Sequence, residues 1–262
     1  GTEIGKGLAN ANKLLGACLK KMEGIRLISL SGGLQDNAIP KEAEAVFLAE
    51  DPAEAEAVRK RFESETCAAF AATEPGLSIT LSSLPPERRQ ALSPEDTETA
   101  LSLLNDYPNG VQAMSEDIPG LVQTSLNIGI LRLEEGRMEL SSSVRSSAAA
   151  EKAALCTQLE RLAARYGGSF SQRGEYPPWE YRKNSPLRDA MLRVYRQMAG
   201  REMKVEAIHA GLECGLFAGK MPGLDAVSIG PELRDVHSAR ERMSVSSVGR
   251  TWAFLLAVLR EL

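Results

Sequence analysis

The chain has 262 residues, enough for one large domain or two modest ones with real cores. Apolar residues make up 43% and charged residues 25%, and the net charge of −4 gives no broad basic surface, so no nucleic-acid partner is expected. The longest apolar run, residues 252–259, is too short to cross a bilayer, so no membrane partner is expected either.

Taken in chain order, residues 4–22 read as an amphipathic helix. Ile4, Leu8, Ala11, Leu15, Cys18, Leu19 and Met22 recur at three- and four-residue steps, and Thr2 is placed to cap it. Residues 26–31 and 43–49 read as strands, the first ended by Gly32-Gly33. Asp51-Pro52 opens a helix to about residue 73, with Ala55, Val58, Phe62, Ala69 and Ala72 on its inner stripe. Residues 77–83 read as a strand, and Ser93-Pro94 opens a helix over 94–105.

The clearest hairpin follows. Residues 122–130 alternate, with a return strand through Leu140, Ser142 and Val144. Keeping the apolar faces together requires an odd loop, here Glu134-Glu135-Gly136. That register sets Asn127 opposite Ser143 or Arg145, so Asn127 and Arg145 share the polar face. Residues 148–166 read as a helix and 168–172 as a strand. This order predicts an antiparallel sheet with helices on one face, leaving the other free for a ligand or partner.

Around Tyr176-Pro177-Pro178-Trp179 the character changes, as at a domain boundary. Helix 186–198, strand 203–209, a short helix from Gly211, strand 224–229 and a helix over 246–262 then follow α/β logic. Two strands make too little sheet to stand alone, so this tail reads as part of a larger α/β domain.

Chemistry is sparse. No secretory signal is visible, and Cys18, Cys67, Cys156 and Cys214 form no CxxC pair, which fits small buried residues in a reducing cytoplasm. Only two histidines occur, His209 and His237, so a zinc site must use one of them or borrow ligands. His209 opens His-Ala-Gly-Leu-Glu-Cys-Gly, where a strand meets a helix. Gly211 would allow close approach of a ligand and Glu213 could answer an amine, but a glycine-rich turn with a surface Glu is the commoner outcome. His237, in Asp235-Val-His-Ser238 with Glu241 beyond, could bind a metal or simply lie at the surface. Arg145 could clamp a carboxylate and Asn127 donate to a carbonyl, or both could be solvated strand residues. No GxSxG, P-loop or GxGxxG motif appears.

Several of these stretches resemble the aminoacyl-histidine dipeptidases. They are residues 209–217, Ser228-Ile-Gly-Pro231, Asp235-Val-His-Ser238 with Glu241, Gly5-Lys-Gly-Leu-Ala-Asn-Ala-Asn-Lys13, Gly32-Gly33 with Asn37-Ala-Ile-Pro40, Ser125-Leu-Asn-Ile-Gly129, Val144-Arg-Ser-Ser147 and Tyr176-Pro-Pro-Trp179. They run in family order over essentially the whole chain. The resemblance implies a two-zinc peptidase of the aminoacylase and carboxypeptidase clan, cleaving dipeptides such as β-alanyl-histidine by a metal-activated water. It implies an α+β lid domain at residues 1–183, followed by an incomplete α/β segment of a metallopeptidase catalytic domain at 184–262. His237 would be a metal ligand, Asn127 and Arg145 would reach the substrate from the lid, and Gly211 and Glu213 would line its pocket. A cytoplasmic homodimer through the lid is expected.

The family's remaining metal ligands, its Glu general base and a lid Gly-Gly-His-Ser histidine would precede residue 1, and Ala239 stands where the family has Pro. The chain is therefore expected to be a fragment without the N-terminal catalytic half, and metal-free and inactive alone. The alternatives are a non-catalytic binding or dimerisation module, and a related metal-dependent N-deacylase.

Overall fold

A computed structural model describes residues 3–85, 89–207, 213–236 and 239–262. The chain divides into two compact units, Gly1–Gly174 and Glu175–Leu262.

The first unit is built on a five-stranded antiparallel sheet. A 3-10 turn, Ile4–Lys6, ends at Gly7, whose φ of +68° breaks the run. Helix α1 therefore spans only Ala11–Lys20, capped by Asn10, whose Oδ1 accepts from Lys13 N at 3.2 Å. The helix expected from residue 4 is thus corrected. Its periodicity is real, but Ile4 is buried from the turn rather than from the helix. The proposed cap Thr2 lies outside the described residues.

Strands β1 (Ile25–Gly32) and β2 (Ala43–Ala49) pair from Ile25↔Ala49 to Gly32↔Ala43. Helix α2 (Pro52–Ala69) starts on Asp51, which accepts from the amides of Ala53 and Glu54, with Pro in the first turn. It buries Ala55, Val58, Phe62 and Thr66, while Ala69 and Ala72 are exposed.

Residues 77–83, expected as a strand, form none. Side chains of α2 take over their backbone groups. Glu63 Oε1 accepts from Ile79 N at 2.8 Å, and Arg59 Nη1 donates to Ile79 O at 2.6 Å. Residues 168–172 are likewise not a strand.

Helix α3 (Pro94–Asp106) is capped by Ser93, and meets α1 where Gly16 leaves room for Leu104. Strand β3 (Gly110–Met114) has no counterpart in the sequence reading. Strands β4 (Val122–Glu134) and β5 (Arg137–Ser146) form the long hairpin, and helix α4 (Ala149–Arg165) follows.

The hairpin loop has two residues, Glu135 and Gly136, both at positive φ, rather than the three expected. The register at Asn127 still matches, because Gly129 is a one-residue bulge between Ile128↔Ser142 and Ile130↔Ser141. The bulge restores the parity that the shorter loop removes. It also keeps Leu126, Ile128, Leu131 and Leu133, each at most 1% exposed, on one face. Helices α1 to α3 pack on that face, and Leu155 and Leu159 of α4 pack on Leu126, so the helices share one side.

The second unit holds α5 (Pro186–Ala199), α6 (Glu213–Lys220), α7 (Val245–Glu261) and a two-residue ladder of β6 (Leu233–Arg234) with β7 (Arg242–Met243). Its core is Met191 and Val194 of α5 against Phe254 and Val258 of α7, with Tyr195 edge-on to Phe254 at 5.8 Å. Asp225 and Ser185 together cap α5. Among the described residues, 203–207 and 224–229, expected within strands, belong to no strand, and residues 208–209 of the first lie outside the described residues. Among those residues no helix is long and apolar enough to cross a membrane.

Candidate functional site

The site follows from a gap in the sheet. Strand β5 occupies one edge of β4 along its length, so β1 and β3 must share the other. There β3 pairs with residues 122–126 and β1 with 131–133. Among the described residues no strand pairs with 127–130 on that side, and their buried backbone groups need other partners.

Carboxamides supply them. Asn109 Oδ1 accepts from Ile128 N at 2.9 Å, while Asn10 and Asn12 donate to Ile128 O at 3.1 and 3.3 Å. The same Asn10 Nδ2 reaches Asn127 Oδ1 at 3.1 Å and Asn109 Oδ1 at 3.2 Å. Asn12 also donates to Gly32 O, while its buried Oδ1 lies against the Gly32 Cα with no hydrogen-bond partner among the described residues.

Asn127 is 5% exposed. Its Nδ2 donates to Ala38 O at 2.7 Å and reaches Asp36 O only at 3.5 Å. The loop carrying those carbonyls comes this close because its contacts are glycines. A Cβ on Gly129 would fall within 3.0 Å of the Gln35 and Asp36 carbonyl oxygens, and one on Gly33 (φ +76°) within 3.0 Å of Gly129 O. The sheet face opposite the helices, expected to be free, is therefore covered by this loop at Asn127.

A cavity of about 330 Å³ opens beside the cluster, with Asn10, Asn109 and Asn127 on its polar side and Ile39, Phe70 and Val111 among its apolar walls. Among the described residues its lining carries no charged side chain. Such a lining can hydrogen-bond a carbonyl or amide but cannot neutralise a carboxylate.

Arg145 sits opposite Ser125, and Asn127 opposite Ser143. Arg145 and Asn127 are thus diagonal neighbours on one face, a spacing of roughly 7–8 Å that a long side chain spans. The structure brings these two predicted residues together. Lys13 supports the site from behind, since its Nζ donates at 2.8 Å to the carbonyls of Leu104, Asn105 and Tyr107, fixing the end of α3 just before Asn109. Burial lowers the Lys13 pKa below 10.5, and it pushes the Cys18 thiol up to about 11, so Cys18 is a packing residue.

In the second unit Glu213 is the exposed first residue of α6. His209, Gly211 and His237 lie outside the described residues. Among the described residues no group of three or more His, Cys, Asp or Glu side chains is placed to hold a metal ion, so these residues alone do not make a zinc centre.

Sequence reasoning missed Asn10, Asn12 and Asn109. The signals for the first two were Asn10-Ala-Asn12 just ahead of a helical run, where Asn is a preferred cap, and their place in the resembling stretch at residues 5–13.

By fold and by sequence, the chain is homologous to the dipeptidases, over its whole length. It is 34% identical to the cytosol non-specific dipeptidase of Escherichia coli (strain K12), in an alignment of 267 residues that takes in 100% of this chain and 55% of that protein. The crystal structure of aminoacylhistidine dipeptidase from Vibrio alginolyticus matches with a TM-score of 0.92 and 29% identity, covering 99% of this chain and 54% of that one. The chain thus spans about half the length of the relatives it matches. No protein-family model matches it. The resemblance read from the motifs is borne out as homology, and the mixed α and β architecture matches about half of a solved dipeptidase.

Proposed function

We propose that this chain serves the metal-dependent hydrolysis of dipeptides, Xaa-His dipeptides among them, in the cytoplasm. On this reading residues 1–183 are a lid that also joins two subunits, and 184–262 are the C-terminal part of the catalytic domain. The observation that carries it is the match of the whole chain to one half of a dipeptidase crystal structure at a TM-score of 0.92.

The lid residues suit the task by their chemistry. Arg145 offers two parallel donors to the terminal carboxylate that every dipeptide carries. Asn127 offers a weakly held N–H to a carbonyl, the one that reaches Asp36 O only at 3.5 Å. Glu213 and Gly211 would line the pocket in the second unit, with Glu213 answering the substrate's amine. His237 is the residue of this chain suited to bind zinc, and zinc when bound supplies an activated water. The other ligands and the general base would come from polypeptide outside these residues.

The second unit carries a further support. Phe217 and Trp252 are 58% and 60% exposed, and Val245 and Leu259 are exposed on the same helix as Trp252, with Leu262 exposed just beyond it. That much exposed apolar surface suits a unit completed by more sheet.

The test measures hydrolysis of β-alanyl-histidine and other dipeptides by the polypeptide carrying this chain together with the family's N-terminal half, with zinc and with a chelator. Zinc-dependent turnover is expected. Hydrolysis of N-acyl amino acids alone would favour the deacylase, and no hydrolysis of either would overturn the reading.

A further inference from the structure

We infer that Asn10 is a positioning residue for Asn127. This rests on the reading of Asn127 as a substrate-binding side chain. The argument starts from which end of each carboxamide is oxygen. Asn10 Oδ1 faces Lys13 N, which can only donate, so Asn10 Nδ2 must face the sheet. Asn127 Nδ2 faces Ala38 O, which can only accept, so Asn127 Oδ1 must face Asn10. The two side chains thereby fix each other's orientation, and the helix start fixes the first of them.

Asn10 has two N–H bonds for three acceptors, Asn127 Oδ1, Ile128 O and Asn109 Oδ1, all within 3.2 Å. It is 5% exposed, so water does not replace it. Donation into Asn127 Oδ1 polarises that amide and strengthens its N–H groups as donors, by about 10–30% per linked bond. One of them is anchored on Ala38 O. The other is the one held only at 3.5 Å and so the one a substrate carbonyl can take. Without Asn10, Asn127 Oδ1 loses its donor, and the bond to Ala38 O alone must hold the amide with its second N–H toward the substrate.

Asn10→Ser separates this role from the helix cap, because Ser is also a strong cap but is too short to reach Asn127. Asn10→Asp is the companion variant, which keeps the size and the capping oxygen and removes the donor. In the complete dipeptidase polypeptide, N10S is expected to raise KM for β-alanyl-histidine about tenfold, the loss of one hydrogen bond, and to lower the thermal midpoint as well, because the buried Asn127 Oδ1 loses this donor. In an Asn127→Ala background the same substitution is expected to add less than about twofold. An equal effect of N10S in both backgrounds, or none in the parent, overturns the inference. Hydrogen exchange of the Asn127 side-chain amide, followed by NMR on this chain, distinguishes the two ways of failing. Exchange unchanged by both N10S and N10D means that Asn10 does not hold Asn127. Faster exchange in both, with hydrolysis indifferent to Asn127→Ala, means that Asn127 has no substrate role, and the inference falls with it.

Discussion

Gly129→Ala perturbs the site without touching any side chain in it. Gly129 is the bulge of β4, and a Cβ there would lie within 3.0 Å of two backbone carbonyl oxygens, those of Gln35 and Asp36. Backbone atoms cannot rotate away as a side-chain tip can, so the loop must retreat by several tenths of an ångström. The retreat weakens Asn127 Nδ2 to Ala38 O, at 2.7 Å, and Ala11 N to Pro40 O, at 3.1 Å. Each bond contributes about 1 kcal/mol, and each buried group left unpaired costs about 1–3 kcal/mol, giving about 2–4 kcal/mol in total. For a unit of this size about 3 °C is lost per kcal/mol, so its melting midpoint falls by roughly 6–12 °C. Differential scanning calorimetry reads the midpoint, and amide hydrogen exchange at Ala11 and Ile128 reads the site. Gly76→Ala is the control, since nothing lies within 4 Å of a Cβ built there. It is expected to be neutral or to stabilise by a few tenths of a kcal/mol. Equal midpoints for the two variants, with Ala11 still fully protected, would refute the close-approach reasoning.

Three further outcomes follow from the same contacts. Lys13→Met removes three charge-assisted bonds to the end of α3 and is expected to destabilise the first unit by about 2–3 kcal/mol, measured by denaturant unfolding. Because burial lowers the folded Lys13 pKa below 10.5, the unfolded chain binds that proton more tightly. The penalty is relieved as pH rises through the folded value toward 10.5, a slope that Lys13→Met should abolish. The hydrogen bond from Ile79 N and then the Arg59 guanidinium lower the Glu63 carboxyl below 4.5. Its hold on residues 77–83 is complete above that value and lost as pH falls through the lower folded one, so exchange at the Ile79 amide should quicken in acid. Glu63→Gln should remove that pH dependence, and an unchanged acid response in the variant would contradict the assignment.

Much of the first unit was legible because local signals and global packing agree there. Asp51-Pro52, Ser93-Pro94 and the alternation of β4 mark elements that form where their pattern places them. The failures are places where side chains satisfy the backbone instead of a ladder or a helix. Residues 77–83 have strand composition, but Glu63 and Arg59 bind Ile79 first. Residues 4–10 carry helical periodicity, but Gly7 turns the chain and Asn10 restarts it. The carboxamide cluster was invisible because it depends on a gap in strand order, with Asn10 and Asn127 meeting over 117 residues of sequence. Asn127 and Arg145 were paired correctly through two offsetting errors, a loop one residue too long and an unseen bulge at Gly129.

The proposed function has this chain carry the part of a dipeptidase that binds the peptide. Steady-state kinetics of the complete polypeptide with β-alanyl-histidine, comparing the parent with Arg145→Ala, tests it most directly. Losing a charge-assisted carboxylate contact of about 2–3 kcal/mol predicts a KM raised about 30–150-fold, with kcat much less affected. A KM unchanged by Arg145→Ala in an enzyme that hydrolyses the dipeptide, or a parent polypeptide that cleaves no dipeptide with zinc present, would contradict the account.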